Sequence, residues 1–323
     1  MRVALSLSPG KVRIEERPDP VAGPGEVVCR VEACGVCGSD VLEPWVARKV
    51  PVVLGHEIVA RVVTAGEGVR HVAPGDRVVV HHHAPCGECR RCRRGHETLC
   101  EGFRATALDP GGFAELVRVP VDLAAGLLAI GDLAAERAVF VEPLACVLRA
   151  FDRAGLQAGD SLLIVGAGTS GLLAVGAAHA RAVDVVWVRE PRPGRLERAI
   201  ALGAERHGNE LVDVVLVCTP SPAAIAEAFA AVAPGGVLCL YAPPYPERPL
   251  QLDGLALYMG EVDVCASYSA GPGDMRAALE LIVAGRVDPA ALVTHRLPLA
   301  ETAAALDLQR GGEAIKALVL PGL

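Results

Sequence analysis

Lysine is nearly missing from this sequence: Lys11, Lys49 and Lys316 are the only three in 323 residues, and arginine supplies the rest of the basic side chains. That bias fits GC-rich coding or heat tolerance and carries no chemical information. Positive charge is also in deficit overall, with a formal net charge of -7 and a pI near 5.8. Nothing therefore draws the chain to phosphate backbones or anionic lipid, and neither nucleic acid nor membrane is an expected partner. No apolar run reaches the ~18 residues that suggest a spanning helix. Even the stretch 211–240 is broken by proline and charge, so no transmembrane helix is expected. The opening MRVALSLSPGKVRIEERPDP has too short an apolar run for a secretory leader, no small-residue cleavage site and dense charge from Lys11 onward, which points to a cytoplasmic protein. Internal repeats and low-complexity linkers are lacking as well.

Cysteine is not scarce. Eleven cysteines, an odd number in a long chain without a leader, suit metal binding and burial better than a disulfide framework. A chain of this length is natural for two domains, each able to bury a core of its own.

The first third reads as short β-rich segments, Val3–Leu7, Glu26–Ala33, Glu57–Ala65, Arg77–His81 and Phe113–Val119, separated by turns such as Gly23-Pro24-Gly25 and Pro74-Gly75-Asp76. This is an all-β, partly barrel-like pattern. From Ala134 the texture changes to an Ala-rich helical stretch through Arg153. Strands at 161–165, 183–188, 212–218 and 236–241 then alternate with helical patterns at 172–181, 194–202 and 223–232. Alternation at that pitch predicts a doubly wound parallel sheet with helices on both faces, an α/β domain. An amphipathic helix at 274–284 and a strand-like 316–320 follow, and this tail is expected to rejoin the first domain. The expected division is 1–143 with a small lobe at 84–102, then 144–270, then 271–323 returning.

Three constellations carry chemistry. Cys86, Cys89, Cys92 and Cys100 form C-x2-C-x2-C-x7-C in a polar, Arg-rich segment where buried apolar cysteines would not be placed. Four thiolates on one looping segment can close a tetrahedron around zinc, leaving no position for water or substrate, so the site is structural. Another soft metal or an iron-sulfur cluster is the competing assignment. Secondly, Gly166, Gly168 and Gly171 form G-x-G-x-x-G around Thr169 and Ser170, directly after an apolar strand and opening a helix. Glu190 follows nineteen residues beyond Gly171, at the end of the next strand. The glycines allow a tight turn, close approach of a pyrophosphate and helix packing, while the acid can accept a ribose 2′-hydroxyl. The acid favours NAD, and the surrounding Arg189, Arg192 and Arg195 leave NADP open, although such a run of charge is commonly just a solvated face. Thirdly, Cys37 in CGVCGSD and His56-Glu57 in GHE offer a thiolate, an imidazole and a carboxylate for a catalytic zinc. Taken singly each is ambiguous, since a lone cysteine is more often buried and a lone histidine beside glutamate is more often hydrogen-bonded.

Together these residues resemble the zinc-dependent branch of the medium-chain dehydrogenase/reductase superfamily, which contains alcohol, sorbitol and threonine dehydrogenases. The likeness runs in order through Gly35–Asp40, Gly55–Glu57, Pro74–Val78, the four cysteines, Gly111–Glu115, Val141–Ala145, the glycine turn and Ile315-Lys316. It implies a GroES-like, partly open β-barrel catalytic domain and a Rossmann nucleotide-binding domain. It also implies catalytic zinc on Cys37 and His56, Asp40 behind them, and Glu57 and Glu142 competing for the remaining protein ligand. Glutamate at 142, where ethanol-oxidising relatives usually carry cysteine, shifts the expected substrate toward polyols, sugars and secondary alcohols or the matching ketones. Ser39 matches the start of the proton relay, though Ser-Asp also begins many helices. Trp45 and His82 fall where relatives line the substrate pocket, and Arg195 and Lys316 fall at cofactor-contacting positions. His81, His82 and His83 look like a metal tract, yet the resemblance makes them a strand end and assigns them no metal. Gly38 and the polar Thr169-Ser170 depart from common family choices and loosen the cofactor and substrate expectations.

The implied activity is hydride transfer between an alcohol and NAD(P), with zinc polarising the substrate oxygen, in a homodimer or homotetramer. A zinc-free reductase of the same superfamily is opposed by the intact Cys37, His56, Glu142 and cysteine lobe. A catalytically silent nucleotide-binding protein is opposed by retention of the ligand set together with Ser39. A zinc-ribbon nucleic-acid module is opposed by the acidic charge balance and the full-length likeness.

Overall fold

The computed structural model describes residues 1–246 and 248–323, and these form two compact units. One gathers Met1–Glu142, Gly271–Val283 and Pro289–Leu323; the other gathers Pro143–Ala270 and Ala284–Asp288. Among the described residues no helix is long and apolar enough to cross a membrane.

The first unit is organised by the strand Val27–Gly35, whose run VVCRVEACG is buried at all but Arg30 and Glu32. It pairs antiparallel with Glu57–Ala65, with Leu116–Val119 and, at its far end, with the closing strand Lys316–Leu320. Glu57–Ala65 goes on to pair with Arg77–Val80, which pairs with Leu128–Ala129. Lys316–Leu320 also takes Val293–Pro298 as a parallel neighbour. The chain end is thus held in the sheet made by the first third, and this register carries Lys316 into the interior. A separate three-stranded sheet joins Lys11–Glu16, Arg2–Ser8 and Val52–Val53. The core between these elements is aliphatic with Phe113 fully buried at its centre, where truncation to alanine costs about 3–5 kcal/mol.

The second unit is a six-stranded, all-parallel sheet. Counted within the unit its order is 3-2-1-4-5-6: Glu205–Arg206, Val185–Arg189, Ser161–Val165, Val212–Val217, Val232–Leu240, Asp263–Ala266. This is the doubly wound dinucleotide-binding order, and the chain reverses its direction of growth beside Ser161–Val165, where such folds hold their ligand. Residues 162–165 and 214–217 are buried throughout, as expected of central strands covered on both faces.

Several elements differ from the sequence expectation. The Ala-rich stretch is two helices, Ala135–Ala138 and Val141–Ala154, and the helix after the glycine turn begins at Thr169. Lys11–Glu16, Glu205–Arg206, Asp263–Ala266 and Val293–Pro298 are strands that lacked a clear apolar pattern. They are short or lie toward sheet edges, and their exposed faces dilute the alternation that marks a strand.

Candidate metal centres and dinucleotide turn

The four cysteines of the lobe converge. Cys86 lies 4.0 Å from Cys92 and 3.5 Å from Cys100, sulfur to sulfur, and Cys89 lies 3.5 Å from Cys92. A tetrahedral zinc with Zn–S near 2.3 Å has S···S edges of about 3.8 Å, which these distances bracket. Sulfurs this close leave room for one ion rather than a multi-iron cluster. Backbone donors are aimed at three of the sulfurs: the amides of Cys86, Cys89 and Cys92 donate to the sulfurs of Cys100, Cys86 and Cys89. The Cys86 amide is the main reason the Cys100 thiol is held down to about 6. Apart from the cysteines, the lobe's own apolar cluster is Phe103 alone, which is too little to order the segment without the metal.

A second set of donors forms where Val27–Gly35 ends and Glu57–Ala65 begins. Cys37 caps the single 3-10 turn Gly38–Asp40: its sulfur accepts from the Ser39 amide, and the Asp40 carboxylate accepts from the Cys37 amide at 3.0 Å. Asp40, itself buried, also faces His56, with Nδ1 3.5 Å from Oδ1. Burial opposes charge on His56, but the Asp40 carboxylate outweighs it and raises the imidazole pKa well above its ordinary value. With Nδ1 turned to Asp40, Nε2 is the ring nitrogen left for a metal, an orientation typical of ligating histidines. Donor atoms of Cys37, His56 and Glu57 all lie within 4.8 Å of one another, and a thiolate, an imidazole and a carboxylate suit zinc. Ser39 and Trp45 are half-buried, Ser39 in the turn and Trp45 in the helix Glu43–Val46 that follows.

Glu57 has a partner that the sequence did not reveal. Lys316 Nζ donates to Glu57 Oε2 at 2.6 Å and to the Val36 carbonyl at 3.2 Å. Both side chains are 1% exposed. Lys316, expected to touch the nucleotide, is instead committed to this interior pair, because the register of the closing strand points it into the sheet's core. Gly35 makes room for it: a Cβ there would come within 2.0 Å of Glu57 Oε2.

Glu142, near the start of its helix, is buried and falls in a donor set with two histidines. His82 Nδ1 is 3.9 Å from Glu142 Oε1, and donor atoms of His81, His82 and Glu142 lie within 4.8 Å of one another. The His82 ring also stacks obliquely on His56, with centroids 4.6 Å apart. The run of three histidines was the available signal for this cluster.

In the second unit, Gly166 takes φ +102 and Gly171 packs so tightly that a Cβ would meet the Gly166 carbonyl at 1.9 Å. Glu190 spans this turn, its carboxylate accepting from the amides of Ala167 at 2.7 Å and Arg192 at 3.0 Å. A Cβ on Gly168 would meet nothing nearer than the Arg195 guanidinium at 3.8 Å, so backbone is left open to a phosphate there. Thr169 and Ser170 begin the helix, with their amides at its positive end.

Comparisons with known proteins agree with this geometry. Residues 23–129 match the alcohol dehydrogenase GroES-like domain. The chain is 31% identical to a sorbitol dehydrogenase of Bacillus subtilis, over 99% of this chain and 97% of that protein. It is 30% identical to an L-threonine 3-dehydrogenase of Symbiobacterium thermophilum, over 99% and 97%. A Sinorhizobium meliloti protein ascribed to the zinc-binding dehydrogenases and solved with NADP superposes with a TM-score of 0.90, covering 99% of both chains at 27% identity. The chain belongs to the zinc-dependent medium-chain dehydrogenase/reductase family. It is an oxidoreductase of the NAD(P)-using kind, with a GroES-like unit and a Rossmann unit.

Proposed function

We propose that this enzyme oxidises a polyol, sugar-like or secondary alcohol, and reduces the matching ketone, with NAD(P) as hydride acceptor or donor. The observation that carries this reading is the meeting of Cys37, His56 and Glu57 within 4.8 Å, backed by Asp40. Cys37, His56 and the Glu57 oxygen not held by Lys316 would bind zinc. When bound, that ion supplies Lewis acidity that polarises the substrate oxygen near neutral pH. Asp40 fixes the His56 ring. Ser39, beside Cys37, takes the proton released by the substrate hydroxyl and passes it toward solvent. Trp45 and His82 line the substrate side, and Glu142 adds a nearby carboxylate. Gly166, Gly168, Thr169, Ser170 and Gly171 cradle the pyrophosphate, Glu190 binds the ribose and Arg195 flanks it. The acid supports NAD, and the adjacent arginines keep NADP within reach.

The test is a panel of polyols, sugars, threonine and simple secondary alcohols assayed with each cofactor by absorbance of the reduced nicotinamide. Turnover with a diol or polyol is expected from zinc-loaded protein, and Cys37→Ser should abolish it while NAD binding persists. No turnover with any substrate, or an unimpaired Cys37→Ser variant, would defeat this reading.

Two further features belong to the same proposal. The helix Gly254–Met259 exposes Leu255, Tyr258 and Met259, and the neighbouring strand Asp263–Ala266 has an open edge, which supports a homodimer or homotetramer built through this unit. Cys29, Cys34, Cys218, Cys239 and Cys265 are free thiols away from the cysteine lobe, which suits the reducing cytoplasm. Light scattering would settle the subunit number.

A further inference from the structure

We propose that His81, His82 and Glu142 form a third metal position, an N/O-donor site for a borderline divalent cation such as zinc, beside the Cys37–His56 centre and distinct from it. Three observations converge. Donor atoms of these three side chains fall within 4.8 Å of one another. His82 Nδ1 and His81 Nε2 are both buried and have no hydrogen-bond partner, although buried polar atoms are nearly always satisfied. The other nitrogen of His81, Nδ1, lies against the His83 carbonyl, and by donating to it leaves Nε2 with its lone pair.

The donor chemistry selects the ligand. Two imidazoles and one carboxylate suit zinc, cobalt or ferrous iron, and lack the thiolate that would favour softer ions. The 3.9 Å between His82 Nδ1 and Glu142 Oε1 is slightly wider than the ~3.4 Å edge of a tetrahedral N/O zinc site, a gap that small side-chain rotations close. The position is also held from behind. His83 Nδ1 donates to the Thr106 carbonyl at 2.7 Å, and the His81 and His83 rings pack on Phe103, so the strand end bearing His82 is fixed. Because Glu57 already completes a donor set with Cys37 and His56, Glu142 can serve this second set without emptying the first. An ion here would stand beside the proposed substrate oxygen, since His82 stacks on His56.

The site takes His82 and Glu142 from the substrate side of the proposed active centre, and it is tested by metal content rather than by turnover. The full-length protein would be equilibrated with zinc in a metal-buffered solution and its bound metal counted, then titrated with cobalt after chelation. The expected result is about three ions per chain, the last-bound cobalt adding ligand-field absorbance without thiolate-to-metal charge transfer. His82→Ala and His81→Ala should each lose that ion alone, keeping the charge-transfer bands of the thiolate centres. About two ions per chain in the unaltered protein overturns the proposal, as does a third ion that survives both substitutions. If a variant fails to fold, the count and spectrum of the unaltered protein decide by themselves.

Discussion

Lys316 and Glu57, 259 residues apart in sequence, meet at 2.6 Å with both side chains sealed from solvent. Removing one partner leaves the other charge buried and alone, which costs about 3–5 kcal/mol. Lys316→Met should therefore lower stability by about that much in urea unfolding, and Lys316→Met with Glu57→Gln should recover a large part of it. Burial opposes the lysine charge, but Glu57 raises its pKa above the ordinary 10.5. The pair's contribution is then complete below about 10.5 and declines as pH rises through the raised folded value. A urea series across that alkaline window measures it, and a flat profile in that range would remove the pair from the stability account.

Asp40 faces His56 and accepts from the amide of Cys37. Its replacement should act through the metal. Asp40→Asn keeps the amide contact and is expected to weaken zinc binding at the Cys37–His56 centre by about 10–100-fold, read by competition with a chelating dye.

Much of this arrangement was legible in sequence, for reasons that differ from residue to residue. The four cysteines and the glycine turn are local: each is one short segment whose spacing alone encodes its geometry. The parallel sheet was legible because its central strands are continuous apolar runs between helical patterns. Lys316 was not, since its meaning depends on the pairing of Leu318 and Val319 with Gly35 and Cys34, a register no local pattern reports. The His81–His82–Glu142 cluster was half legible. The histidines are adjacent in the chain, but Glu142 arrives from a helix start some sixty residues later. Its approach to His82 is a matter of three-dimensional placement.

His83 gives the protein an acid sensitivity of its own. Burial holds its pKa down to about 4, against 6.5 unperturbed. A histidine kept neutral in the fold contributes stability above 6.5, and that stability drains away as pH falls toward 4, because the unfolded chain binds the proton more readily. Thermal unfolding between these pH values should show a falling midpoint, with a shallower fall for His83→Asn.

Zinc held by the cysteine lobe would act as a folding ligand. Cys100→Ser should reduce bound zinc by about one per chain and make residues 84–102 the first site of limited proteolysis, with the secondary structure of both units otherwise preserved. A variant that keeps its full zinc complement would show that three thiolates suffice.

At the glycine turn, Glu190→Gln removes a charge that a ribose hydroxyl would donate to. Hydrogen bonds to charged groups contribute about 1.5–3 kcal/mol, so the Kd for NAD should rise roughly ten- to a hundredfold while that for NADP rises less. Fluorescence titration of the reduced cofactors separates the two. Equal losses for both would take Glu190 out of ribose recognition.

The footing of the cysteine lobe has a consequence for how such proteins change over time. Its two ends are clasped to each other at one point: His83 Nδ1 donates to the Thr106 carbonyl, and the Ala84 amide donates to the Thr106 hydroxyl at 2.9 Å. Everything between is a closed excursion that contributes no strand to either sheet of its unit. Such a segment is a detachable cassette. It can be shortened or exchanged by rejoining the chain at its clasp, leaving the register of Arg77–Val80 undisturbed as long as an aromatic ring is kept where Phe103 packs on His81 and His83.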